Sequence, residues 1–208
     1  MEIKDMPKLE SLFIRETING EYIVTQKIDE NYKWVLEGKE DEVICMEKLN
    51  GTNVSIIIQD GNITGIFNRT ARIPFFNKGK KFIIEGLLES HEKGYCEFLD
   101  GQYFGELIGE KVQGNPYKNE RHLWIPFNSF GKKHLVYKSF HKYPKTFEGL
   151  SDWLKKPIEE GGIFSLYARM KGIEIQPEGV VFYNLKTGQM CKLRRDMFEW
   201  YKEKRHKE

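Results

Sequence analysis

Three short apolar runs, residues 43–47, 53–59 and 63–68, follow one another with almost nothing between them. Asp60-Gly61 separates the second from the third, and such a pair supplies the positive-φ positions that a tight hairpin turn demands. Reversals this short join antiparallel neighbours and leave no room for a crossover helix. Strand patterns recur at 102–108 and 123–130, and a second hairpin reads from 180–184 and 189–193 across residues 185–188. Helical spacing is confined to 82–92 with Gly94 as its C-cap, to 146–156 between Thr146 and Pro157, and to the tail from Asp196. The expectation is an α+β fold of antiparallel β-sheets with flanking helices. Residues 1–208 read as a single domain, because no compositional break marks a boundary.

Between the first two runs lies Glu47-Lys48-Leu49-Asn50-Gly51-Thr52-Asn53. Lys48 leaves an apolar strand, and Gly51 lets backbone come close to a ligand. An amine held there is a nucleophile once its proton is removed. Taken alone, the same residue reads more simply as a surface lysine at a strand end, since lysines are common there. Four further patterns change that balance. Arg69, in Phe67-Asn68-Arg69-Thr70, offers a planar fork suited to phosphate. Glu106 stands inside the apolar run Tyr103-Phe104-Gly105-Glu106-Leu107-Ile108, and Glu178 stands at the mouth of Val180-Val181. Lys192 and Arg194 share one face of a strand, an arrangement that is costly unless an anion lies between them.

These parts suit one chemistry. Lys48 attacks the α-phosphorus of a nucleoside triphosphate, pyrophosphate leaves, and a lysyl phosphoramidate remains. Lys192, Arg194 and Mg²⁺ would neutralise charge on the transferring phosphate, with Glu106 and Glu178 contacting the metal directly or through water. Trp124 and Phe127 are the aromatic rings available to cover a base.

Bulk properties narrow the setting. The net charge is +2, so a polyanion would need a local basic surface. Cys45, Cys96 and Cys191 form no paired spacing, which argues against a disulfide framework or zinc ribbon and for a reducing compartment. Nor do the five histidines recur at metal-ligand spacing. With no apolar leader and no run long enough to span a bilayer, the reading is a soluble, cytoplasmic protein.

With those residues assembled, the chain resembles the covalent nucleotidyltransferase superfamily of ligases and RNA capping enzymes, whose fold is a nucleotidyltransferase (ATP-grasp-like) ligase fold. Within it, the chain is most similar to ATP-dependent RNA ligases of the T4 RNA ligase 2-like type. The Glu-Lys-x-x-Gly-Thr/Ala-Asn pattern of that family is matched by Glu47, Lys48, Gly51, Thr52 and Asn53. The resemblance implies that Lys48 carries AMP, that Glu47 and Leu49 line the adenosine site, and that Asn53 and Arg69 meet ribose or phosphate. It implies further that Glu106 contacts ribose, that Phe127 stacks on adenine, that Glu178 is associated with Mg²⁺ or Mn²⁺, and that Lys192 and Arg194 are the closing basic pair. The lead-in Pro7-Lys8-Leu9-Glu10-Ser11-Leu12-Phe13-Ile14-Arg15 and the run Val112-Gln113-Gly114-Asn115-Pro116-Tyr117 also look RNA-ligase-like. Asn50, Asn128 and Arg194 depart from the commoner residues at their positions. Asn two residues after the motif glycine, where DNA ligases and capping enzymes usually carry Arg, tilts the substrate towards RNA.

The resemblance implies sealing of RNA 5′-phosphate and 3′-hydroxyl ends. DNA ligation, GTP-dependent capping, or a module active only with a protein partner for end recognition are the alternatives. Many relatives append a C-terminal domain, whereas only a helical tail follows Arg195 here. Arg72, Phe75, Phe76, Lys78, Lys80 and Lys81 mix cations with aromatics, which suits nucleic-acid contact and equally a solvated charge run. Lys202, Lys204, Arg205 and Lys207 interleave with Glu199, Glu203 and Glu208, which favours a solvated helix face.

Overall fold

A computed structural model describes residues 3–6, 8–96 and 99–205, with side chains to residue 202. Pro7 of the lead-in, His206, Lys207, Glu208, and the side chains of Glu203, Lys204 and Arg205 lie outside the described residues. The strands, in chain order, are β1 (Phe13–Ile18), β2 (Glu21–Ile28), β3 (Val43–Lys48), β4 (Thr52–Gln59), β5 (Asn62–Asn68) and β6 (Ala71–Arg72). They continue as β7 (Gly101–Ile108), β8 (Leu123–Pro126), β9 (Gly179–Asn184) and β10 (Met190–Arg194). The helices are α1 (Trp34–Glu37), α2 (Lys81–Glu92), α3 (Lys132–His134), α4 (Phe147–Lys155), α5 (Leu166–Arg169) and α6 (Glu199–Arg205). All strand pairings within the sheets are antiparallel, as the hairpin signals require.

The chain divides into two compact units interleaved in sequence: Met1–Lys8 with Leu49–His134, and Leu9–Lys48 with Leu135–Glu208. The first holds a five-stranded sheet of order β6-β5-β4-β7-β8. Asp60 and Gly61 both take positive φ at its β4–β5 turn, and Gln59 pairs with Asn62. Period-two alternation puts Val54, Ile56, Leu107 and Trp124 on one sheet face, where they form a core with Ile83 and Leu87 of α2. Asn53 and Glu106 oppose each other across β4 and β7, so they lie on the other face.

The second unit holds the three-stranded sheet β10-β9-β3 and the two-stranded β1–β2 hairpin. Val43, Cys45, Val180, Phe182, Cys191 and Leu193 face a core shared with Trp153 of α4 and Phe140. Both edges of this sheet are covered. Glu47 N–H donates to Leu135 C=O at 2.8 Å, and Tyr137 N–H donates to Cys45 C=O at 2.8 Å. At the opposite edge Lys192 N–H donates to Glu10 C=O at 2.9 Å, and Leu12 N–H donates to Lys192 C=O at 3.0 Å. The lead-in segment therefore buttresses the strand that carries Lys192.

Two expectations need correction, and one hairpin was not expected. The 123–130 strand stops at Pro126, and Phe127–Gly131 form a π-helical turn; proline has no N–H with which to extend the ladder. The tail helix begins at Glu199, because Arg195–Met197 form a 3₁₀ turn and Phe198 is extended. The β1–β2 hairpin went unread, although Asn19-Gly20 carries the same positive-φ signal as Asp60-Gly61.

Candidate active site

Lys48 is the last residue of β3 and pairs across the sheet with Gly179, which in turn pairs with Arg194 of β10. Residues in one cross-strand row share a face, so Lys48 and Arg194 flank a position that has no side chain. A Cβ at Gly179 would lie 2.3 Å from Leu193 O and 2.6 Å from Arg194 Cα. Glycine is thus imposed by backbone proximity, and it also clears the space between two cations. Lys192, two residues before Arg194, lies on the same face. Glu178, directly before β9, supplies the anion that such a face demands. Lys48 Nζ donates to its Oε2 at 2.7 Å, and Arg194 Nη1 donates to its Oε1 at 3.2 Å. Arg194 Nη2 also meets Asp196 Oδ2 at 2.9 Å. Burial, then the charges of Arg194 and Lys48, push the Lys192 ammonium below its ordinary value.

Glu47 points to the opposite face of β3, into the core, and is only 5% exposed. Its carboxylate accepts from Ser165 Oγ at 2.5 Å and from Tyr167 N–H at 2.9 Å. Ser165 is also the N-cap of α5, accepting from Ala168 N–H at 3.0 Å. Burial pushes the Glu47 carboxyl up to about 7, against these hydrogen bonds, which pull it down. Adjacent residues of one strand thus have opposite environments: Lys48 on a polar face, Glu47 in a core. Ser165, Tyr167 and Asp196 are partners of this unit that sequence reasoning missed. Only Ser165 left a signal, as a serine directly before a short helical turn.

The remaining candidates lie in the first unit. Gly51 precedes β4, and a Cβ there would lie 2.4 Å from Leu107 O and 2.6 Å from Glu106 Cγ. The motif glycine therefore lets the chain pass against the Glu106 strand. Leu49 is buried in this unit, and Asn50 N–H donates to Tyr117 Oη at 2.9 Å. Asn53 is held through its backbone, its C=O accepting from Asn68 Nδ2 at 2.7 Å. Arg69 sits in the β5–β6 turn at φ +55°, paired with Asp5 at 3.5 Å. Phe127 is half-buried at the start of the π-helical turn. Trp124, offered above as a base-stacking ring, is 0% exposed and its indole N–H donates to Val54 C=O at 3.0 Å. It belongs to the core and is not available to a base, unlike the half-buried Phe127.

Orphaned polar atoms in each unit, taken separately, show what its candidate residues could still bind. Arg194 Nε and Asn53 Oδ1 are buried and lack a hydrogen-bond partner among the described residues, as does Asp196 Oδ1. A buried polar atom left so demands an explanation, and a ligand supplies one. A spare guanidinium donor beside Lys48 and Lys192 fits a phosphate, and a spare amide acceptor fits a hydroxyl or amine donor. No group of three or more His, Cys, Asp or Glu side chains able to hold a metal ion is found among the described residues. A metal here would draw on one or two carboxylates, water and phosphate oxygens, which is the habit of Mg²⁺.

A search of curated proteins returns no match. Among solved structures, an RNA ligase of Naegleria gruberi with pyrophosphate is 19% identical at a TM-score of 0.54, over 100% of this chain and 64% of that one. A variant of that ligase with ATP and manganese is 17% identical at a TM-score of 0.52, with the same coverage. Another variant with ATP and manganese is 19% identical at 0.54, over 96% and 62%. These likenesses carry the fold, and the chain spans less than two thirds of the length of the proteins that share it. The RNA ligase family matches residues 41–198, a span that includes every candidate named above from Glu47 to Arg194, and the chain belongs to that family.

Proposed function

We propose that this chain is the adenylyltransferase module of an ATP-dependent RNA ligase of the T4 RNA ligase 2-like type. It would act as one functional domain in the cytoplasm and join 5′-phosphate to 3′-hydroxyl RNA ends. The observation that carries the reading is the row Lys48–Gly179–Arg194, with Glu178 bridging the two cations and Lys192 beside them. No helix among the described residues is long and apolar enough to cross a membrane.

Lys48 Nζ is the nucleophile. Its lone pair forms a bond to the α-phosphorus of ATP, the bond to the bridging oxygen breaks, and pyrophosphate departs with that electron pair. The amine must first lose a proton, and that proton passes to Glu178 Oε2, the carboxylate oxygen that Lys48 Nζ touches at 2.7 Å. Arg194, with its spare Nε, and Lys192 meet the charge that develops on the phosphate oxygens. Glu178 and Glu106 are the carboxylates that would hold Mg²⁺ or Mn²⁺, which would supply further positive charge when bound. Asn53, Arg69 and Glu106 orient ribose and phosphate, Glu47 and Leu49 shape the adenosine site, and Phe127 stacks on the base. In that set Glu47 acts from the core, by fixing α5 and the end of β3. The AMP then passes to an RNA 5′-phosphate, and attack by a 3′-hydroxyl expels it. A protein partner for end recognition is compatible with this division of labour.

Incubation of the protein with ATP, Mg²⁺ and a 5′-phosphorylated RNA tests the proposal. AMP-capped RNA and sealed product are expected. Labelling by GTP in place of ATP would move the chain to capping chemistry, and labelling by neither would end the enzyme reading.

A further inference from the structure

Within the first unit, the path between β6 and α2 places aromatic side chains where water-loving residues belong. Asn77 N–H donates to Pro74 C=O at 3.1 Å, which makes residues 74–77 a β-turn with Phe75 and Phe76 at its two central positions. Turn centres usually carry Gly, Asn, Asp or Ser. Here Phe76 is 100% exposed and Phe75 is 54% exposed. The turn is also built to stay put. Ile73 is buried and its N–H donates to Ile66 C=O at 2.8 Å on one side. On the other, Asn77 caps the Lys78–Lys80 3₁₀ turn by accepting from Gly79 N–H at 3.0 Å, and α2 follows directly. Two phenyl rings are therefore held out on a braced turn, at a hydrophobic cost the fold does not recover.

Charge says what would cover them. Residues 61–84 contain Arg69, Arg72, Lys78, Lys80 and Lys81 and no Asp or Glu. Lys81 is paired with Glu85 at 3.1 Å, and Arg72 donates to Thr64 C=O at 3.0 Å. Lys78 and Lys80 flank the turn, Lys80 lying 5.9 Å from the Phe82 ring centroid. Phe75 also forms one wall of an apolar cleft of about 410 Å³ with Ile63, Ile84, Leu88 and His91. Flat apolar rings set among unopposed cations fit a partner that is anionic along its backbone and presents planar faces, which is an unstacked polynucleotide.

We propose that the Pro74–Lys80 turn is a stacking platform for a single-stranded RNA segment, with bases on Phe76 and Phe75 and phosphates on Lys78 and Lys80. The choice of RNA rests on the ligase reading above, while the platform itself rests on the exposed rings and their charge. None of these four residues belongs to the proposed nucleotide site. The test is fluorescence anisotropy with a 5′-phosphorylated single-stranded RNA, run beside covalent labelling by ATP. Phe76→Ala should weaken RNA binding about tenfold, the span expected for one lost stack. Phe76→Tyr should restore it, and Phe76→Leu should not, because a leucine keeps apolar bulk and loses the flat face. Lys78→Ala with Lys80→Ala should reduce the slope of log affinity against log salt by roughly 1.4. All variants should be labelled by ATP as the parent is. Full RNA affinity in Phe76→Ala and in the lysine pair would overturn the platform. Equal rescue by Leu and Tyr would overturn it too, and would point to an apolar protein partner. Failure of the parent to label with ATP, with these RNA effects intact, would refute the ligase reading and spare the platform.

Discussion

The three-stranded sheet that carries Lys48 and the five-stranded sheet that carries Asn53 and Glu106 solve the same problem by different means. Each sheet brings polar side chains onto a face next to a glycine forced by backbone proximity, Gly179 in one and Gly51 in the other. In the three-stranded sheet the polar groups are charged and hold one another, with Glu178 joining Lys48 to Arg194 and Arg194 reaching Asp196. In the five-stranded sheet Asn53 is fixed through its backbone while its amide oxygen has no partner among the described residues. A charged, self-compensated face suits chemistry on a phosphate, where charge moves during the reaction. A braced neutral group with spare capacity suits recognition, where a mismatched ligand leaves it unpaired.

The sharpest way to break the comparison is to fill the glycine in the charged row. Gly179→Val forces a side chain against Leu193 O and Arg194 Cα, so it should destabilise the protein by roughly 3 kcal/mol and abolish labelling by ATP. Urea unfolding and a labelling gel check both outcomes. A variant of parental stability and activity would show that the row is not as tight as described.

Glu47 sharpens the contrast between the two faces of β3. Its folded value of about 7 lies above the ordinary carboxylate value of 4.5, so the folded protein binds the extra proton more tightly than the unfolded chain. The sign follows: this group's stabilising share is fully present below about pH 4.5 and is lost as pH rises through about 7. The loss is on the order of 3 kcal/mol. Glu47→Gln should flatten stability between pH 5 and 8, read as the urea midpoint against pH. A midpoint curve parallel to the parent's would mean that Glu47 does not titrate in that window.

The two aromatics of the five-stranded unit separate architecture from recognition with smaller effects. Trp124→Phe loses a buried hydrogen bond to Val54 and part of a core ring, and should cost about 2 kcal/mol with ATP labelling retained. Phe127→Ala should leave stability near the parent's and raise the ATP concentration for half-maximal labelling about tenfold. Exchanged outcomes would mean that the roles of the two rings are reversed.

Much of this was legible in the chain, for physical reasons that differ by element. β3, β4, β5, β9 and β10 are apolar on at least one face and end in turn residues, so periodicity finds them. Thr146 accepting from Gly149 N–H and Gly94 at φ +69° are the expected cap geometries. β1 and β2 bury few side chains, so their alternation is drowned by charge, and only Asn19-Gly20 betrayed the hairpin. The interleaving of the two units has no compositional mark, because one crossing falls between Lys48 and Leu49, inside the motif itself. The grouping of Lys48 with Glu178, Lys192 and Arg194 was argued from motif order, and the antiparallel register gives it geometry. The core role of Trp124 was not readable, since a buried tryptophan and a base-stacking one look alike without a hydrogen-bond partner. Likewise the Glu47 carboxylate depends on Ser165 and Tyr167, more than a hundred residues away in sequence.

The claim that Lys48 is the covalent nucleotide carrier is tested most directly by peptide mass mapping after incubation with ATP and Mg²⁺. The account predicts one AMP moiety per chain, acid-labile as a phosphoramidate is, on the peptide containing Lys48, and none in Lys48→Ala. AMP on a different residue, or undiminished labelling of Lys48→Ala, would contradict it.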